Sequence, residues 1–226
     1  GWLYCKKRII KDELLLRIFD DFISYIILGI ILGGRIGYIL FYNFNYYLKN
    51  PVEIFMVWNG GMSFHGGLLG VIIAAIFFGR KKGIDYFVLL DVVALAAPIG
   101  IFFGRIANFI NSELYGRITD VPWSITFIII DNLQRHPSQL YEAFLEGLIL
   151  FFILNDFFKK NYLNNPGVIS GIFLINYSLF RFVTEFFRSP DPQIGYIIVN
   201  LTLGQLLSII FFMFGIILFL NKKNDN

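Results

Sequence analysis

The sequence predicts an all-α membrane protein, a polytopic helical bundle of six spans with a small arm on its outer face, and three features predict it. Of the 226 residues, 57% are hydrophobic and 15% charged, and the mean hydropathy is +0.67. A soluble domain holds roughly 45–50% apolar and about 25% charged residues, so the excess is more than a larger core explains. The apolar residues gather into runs of about 20, the length that crosses hydrocarbon as a helix. The basic residues cluster between those runs and favour alternate connections. With a net charge of only +3, these clusters read as orientation signals and no nucleic-acid partner is expected.

Taken in order, the first run, DFISYIILGIILGGRIGYILFY, places a span at 20–42. The second, at 54–79, carries the glycine-rich stretch WNGGMSFHGGLLG, and the third, at 84–107, ends in APIGIFFGR. The connection 108–137 mixes polar residues with the apolar patch PWSITFIIID. It is long for an unstructured loop, and its β-branched content predicts a small folded arm with two short strands. The fourth span, 138–158, follows Pro137, a residue suited to a first helical turn. The fifth and sixth are placed at 166–187 and 195–220.

Lys6, Lys7, Arg8, Lys11, Arg17, Arg80, Lys81, Lys82, Lys159, Lys160, Lys222 and Lys223 fall on one side of these spans. Lys49, Arg117, Arg135 and Arg188 fall on the other. The positive-inside rule puts the richer side, and the C-terminus, in the cytoplasm. Residues 1–226 read as a single integral membrane domain, with 108–137 as its extracytoplasmic arm. GWLYCKKRII reads as the tail of an apolar segment meeting a cytoplasmic basic cluster, so a further span is expected before Gly1. The halves show no internal repeat or inverted symmetry, which counts against a secondary transporter.

Arg35, Arg105 and Arg181 lie inside the apolar runs. A guanidinium there costs at least ~2.5–3.5 kcal/mol unless it faces a protein interior and meets an anion. At that depth the abundant anion is a lipid phosphate. Cys5 is the single cysteine, so no internal disulfide forms. With two histidines and no metal-binding or P-loop motif, no metal or cofactor is expected.

Four segments concentrate polar groups. In 58–70, His65 is preceded by Gly60 and Gly61 and followed by Gly66, Gly67 and Gly70. Glycines there let a backbone or ligand approach, and the imidazole either bonds a carbonyl or exchanges a proton at neutral pH. In GRIANFINSELYGR, Arg105 and Asn108 share a helical face, with Glu113 and Arg117 following. They suit a phosphate, with an interfacial cap as the plainer alternative. RHPSQLYEAFLEG, with Glu142 and Glu146, reads as a span entrance. In NYSLFRFVTEFFRSPDPQ, Tyr177, Arg181, Glu185 and Arg188 form one stripe, and Arg181–Glu185 can neutralise each other. Arg35 is a weaker site candidate, binding lipid or pairing with Glu113 or Glu185.

HGGLLG at His65, GRIANFINSELYGR, RHPSQLYE, RFVTEFFRSPD, and Gly204–Gln205 with Ser208 resemble, in that order, motifs of the bacterial prolipoprotein diacylglyceryl transferase family. The likeness runs from about residue 20 to 220. It implies a seven-helix inner-membrane enzyme. Such an enzyme transfers the diacylglyceryl group of phosphatidylglycerol to the lipobox cysteine thiol next to a prolipoprotein signal peptide. A thioether forms and glycerol phosphate leaves. The resemblance implies His65, Arg105 and Arg181 as catalytic residues. It implies Arg105, Asn108, Glu113, Gly116, Tyr177, Arg181 and Glu185 as phosphatidylglycerol-binding residues. His65 is then either the base or a group that orients lipid. The alternatives are a non-catalytic phospholipid-binding scaffold and a lipid transporter. The chain departs from the family in lacking its first helix and in an arm shorter than in many relatives. Ala107 and Ser112 also stand where glycine is frequent.

Overall fold

The computed structural model describes residues 1–190, 195–198 and 201–224. It falls into two units, residues 6–90 and residues 1–5 with 91–226.

The 6–90 unit is built on two long helices. Helix α1, Glu13–Tyr42, starts at Asp12, whose side chain accepts from the backbone N–H of Leu14 and Leu15. Helix α2, Phe64–Lys82, starts at Ser63, whose hydroxyl accepts from Gly66 N–H, and stops at Gly83 in the left-handed region (φ 68°). The two helices run antiparallel with their backbones touching. A Cβ on Gly33 would overlap the Gly66 carbonyl oxygen, and one on Gly70 would overlap that of Gly29. The glycines of the HGG stretch are therefore a helix-packing device, the arrangement that membrane helices use when apolar burial gives no driving force.

The span expected at 54–79 begins instead at Phe64, preceded by 3₁₀ turns at Pro51–Phe55 and Val57–Asn59. Two causes act together. Gly60 and Gly61 sit at φ 80° and 77°, which ends any helix. Arg35 also gathers the loop's carbonyls. Its Nε donates to Ile54 O (2.9 Å), Nη1 to Gly60 O (2.6 Å) and Gly61 O (3.2 Å), and Nη2 to Glu53 O and Met56 O. A guanidinium has five N–H donors, and these bonds engage all of them within 6–90. The lipid or carboxylate partner expected for Arg35 thus gives way to a structural role.

Helix α3, Tyr86–Ile110, lies in the 91–226 unit from residue 91 onward and leads into the arm segment. There β1 (Ile125–Thr126) pairs antiparallel with β2 (Gln134–Arg135). The Arg135 guanidinium bonds Asp131 at 2.5 Å and holds that carboxyl below its usual range. Helix α4 spans 138–159, with a π-helical stretch, Ala143–Ile149, between two α segments. Helix α5, Val168–Thr184, precedes the antiparallel pair β3 (Tyr196–Ile198) and β4 (Leu201–Thr202), then α6, Leu203–Asn224. Residues 196–198 and 201–202 are therefore extended, where the sixth span was expected to be helical. The β-branched Ile197 and Ile198 suit that conformation. Gly171 and Gly215 let α5 and α6 approach closely.

Gly167, the N-cap of α5, has no side chain to cap the helix. Asp91 of α3, fully buried, does so from outside, accepting from Gly167 N, Ser170 N (both 2.8 Å) and Ser170 Oγ. Asp91→Ala leaves these donors buried and unpaired. It should destabilise the protein by about 2–4 kcal/mol, read as a lower unfolding midpoint in detergent.

By length and composition, the helices at Phe64–Lys82, Tyr86–Ile110 and Leu203–Lys222 are able to cross a membrane, and the protein is a membrane protein.

Candidate functional site

Three helices of the 91–226 unit meet at a buried ionic cluster. Gly147 of α4 lies against Phe102 of α3 so tightly that a Cβ there would stand 2.7 Å from the Phe102 Cβ. That approach brings Arg105, one turn along α3, to the carboxylates of α4. The π turn begins directly after Glu142 and contains Glu146. Such turns are frequent at functional sites, and this one lets both carboxylates address the same cations. Helix α5 supplies Arg181 and Thr184, with Glu185 as its C-cap.

Glu142 Oε2 forms an ion pair with Arg105 Nε at 2.9 Å and accepts from Arg181 Nη1 at 2.8 Å. Arg181 Nη2 meets Glu185 Oε2 at 2.7 Å, and Thr202 Oγ1 donates to Glu185 Oε1 at 3.0 Å. Glu146 stands further off, 3.9 Å from Arg105 and 3.8 Å from Arg181, and accepts from Thr184 Oγ1 at 3.1 Å. Glu142 and Glu146 are 0% exposed and Arg181 9%. Among the described residues, several buried polar atoms here have no hydrogen-bond partner: Gln139 Oε1, Glu142 Oε1, Glu146 Oε2, Ser178 Oγ, Glu185 Oε2 and Gln205 Nε2.

Arg105, Arg181 and Glu185 are thus brought together as one group. Tyr177, one turn below Arg181, is buried with its ring stacked on Phe173 (5.6 Å). Asn108 and Glu113 form a separate pair where α3 ends, Asn108 Nδ2 donating to Glu113 Oε2 at 2.9 Å. The turn that folds Glu113 back has Ser112 and Leu114 at φ 57° and 54°. The Ser112 backbone is therefore in the region glycine favours. Gly116 is wedged between the backbones of His136 and Phe187, with no room for a Cβ. Its carbonyl accepts from Arg135 and Ser189. His65 lies in the 6–90 unit, half-buried in the first turn of α2 and edge-on to Phe64. The Asp191–Gln193 end of the fourth motif lies outside the described residues.

Beside the cluster, Thr184 also lines an open-sided apolar groove of about 460 Å³ with Trp123, Tyr141, Phe144 and Phe187. His136 borders it, and burial holds its imidazole below the ordinary value.

Sequence reasoning placed both arginines but took Glu142 and Glu146 for a span entrance. The signal was present: two glutamates four residues apart in an apolar helix require partners.

Residues 1–221 match the model of a family described as prolipoprotein diacylglyceryl transferase. Three relatives bear the name phosphatidylglycerol–prolipoprotein diacylglyceryl transferase. That of Rickettsia felis is 52% identical over 95% of this chain and 84% of its own length. That of Rickettsia bellii is 51% identical over 99% and 86%. That of Azospirillum brasilense is 50% identical over 96% and 82%.

Proposed function

The chain belongs to the prolipoprotein diacylglyceryl transferase family, and from that premise we propose that it joins a prolipoprotein cysteine to the diacylglyceryl group of phosphatidylglycerol. The thiol sulfur bonds to the glycerol carbon, the carbon–oxygen bond to phosphate breaks, and glycerol phosphate leaves. The acceptor is the lipobox cysteine beside the signal peptide. The protein sits in the bacterial inner membrane with six spans in this chain, its arm on the outer face and its C-terminus cytoplasmic.

The observation that carries the site reading is the convergence of Arg105 and Arg181 on one carboxylate oxygen. Two guanidiniums aimed at a point in a dry interior suit the phosphate of the lipid and the charge that grows on it as the bond breaks. Asn108, Glu113, Gly116, Tyr177 and Glu185 complete the lipid site. A thiol of pKa ~8.5 is mostly protonated at neutral pH, and His65 takes its proton as sulfur attacks.

Mass spectrometry of a lipobox peptide incubated with the protein and phosphatidylglycerol should reveal a thioether-linked diacylglyceryl adduct. A scaffold or lipid transporter gives none. His65→Asn should slow transfer at saturating lipid by about 10²–10⁴-fold, the range for loss of a general base. Near-normal transfer would assign the proton to another group.

A further inference from the structure

Glu142 is held differently from the two carboxylates beside it. One oxygen, Oε2, receives both Arg105 and Arg181, while Oε1 is buried with no hydrogen-bond partner. Glu146 and Glu185 each leave one buried oxygen without a hydrogen-bond partner as well, so what sets Glu142 apart is the single oxygen that both guanidiniums approach. The other two carboxylates are placed differently. Glu185 contacts Arg181 and is tied to Thr202, and Glu146 stands beyond hydrogen-bond distance of both arginines. Among the described carboxylates, only Glu142 offers a shared point at which the two guanidiniums meet. Two guanidiniums from separate helices at one anionic oxygen also suit a non-bridging phosphodiester oxygen.

We propose that Glu142 is a positioning residue: its carboxylate keeps Arg105 and Arg181 aimed at one point until the phosphodiester of phosphatidylglycerol takes that point over. The inference rests on the function proposed above. Lipid and carboxylate then compete for the same donors. Removing the charge of Glu142 leaves two buried cations without their shared anion, which weakens the lipid-free protein and strengthens its demand for a phosphate.

The test compares the full-length wild type, E142Q and E142D in detergent, with phosphatidylglycerol or phosphate-free diacylglycerol added. For E142Q the lipid-free unfolding midpoint should fall, and phosphatidylglycerol should raise it by more than it raises the wild type. Diacylglycerol should not. The KM of E142Q for phosphatidylglycerol should drop about tenfold, equivalent to about 1.4 kcal/mol of tighter lipid binding. E142D, which restores a carboxylate, should recover part of the lipid-free midpoint and lose the extra lipid response. A purely structural Glu142 would lower the midpoint and leave KM of the folded fraction unchanged, which would overturn the proposal. So would equal rescue by diacylglycerol, or an E142D with no partial return. If E142Q is recovered only with lipid present, the comparison of phosphatidylglycerol with diacylglycerol still decides. Absence of the peptide adduct with wild type would sink the function itself. Wild-type transfer with a normal lipid response in E142Q would sink only the role of Glu142.

Discussion

Arg181→Lys should lower the rate of diacylglyceryl transfer by about 10²–10³-fold, the loss expected when a preorganised charge donor is removed from a reacting group. Arg181 engages Glu142 and Glu185 through two different nitrogens, 2.8 and 2.7 Å away. An ammonium is a single point charge and cannot span both while presenting a fork to a phosphate. The substitution keeps the net charge, so the loss measures geometry. Arg105→Lys should follow in the same direction with a smaller effect. Arg105 contacts Glu142 through Nε alone, and its side chain is slightly more exposed, 14% against 11%. The measurement is the initial rate of adduct formation at saturating phosphatidylglycerol, on protein whose helical signal and gel-filtration profile match wild type. Unchanged turnover in both variants would remove the phosphate clamp.

Gly70→Ala should destabilise the 6–90 unit by about 3 kcal/mol, the upper range for overpacking a close-packed interior. The added methyl would meet the Gly29 carbonyl, and Gly33 lies alongside. These are backbone atoms and cannot rotate away, so α1 and α2 must separate. Helix propensity alone would make Gly→Ala favourable by about 1 kcal/mol, so the sign separates packing from propensity. Gly100→Ala is the control, because nothing lies within 4 Å of a Cβ there. It should be neutral or slightly stabilising. Both are read as unfolding midpoints in detergent.

Much of the site was legible before any coordinates. A charged residue in an apolar run has few tolerable environments, so Arg105 and Arg181 announced a buried anion from composition alone. The i, i+4 spacing of Arg181 and Glu185 likewise foretold their ion pair. Arg35 obeyed the same logic and resolved differently, because five carbonyls satisfy a guanidinium as well as an anion does. Nothing local to Arg35 distinguishes those outcomes; they depend on how residues 50–61 fold back.

By itself, the sequence determined the membrane-helical class, the family motifs and which cations lie within the apolar runs, though not that Arg188 is buried too. These follow from composition and short-range periodicity, which act within a turn or two of helix. The tertiary structure decided who meets whom. It made Glu142 the meeting point of Arg105 and Arg181, 37 and 39 residues away along the chain. It gave Asp91 the capping of α5, and it turned the glycines beside His65 into a helix contact. Such pairings are set by where Gly147, Gly66 and Gly70 let backbones approach, and an approach between helices has no signature in the spacing of either one.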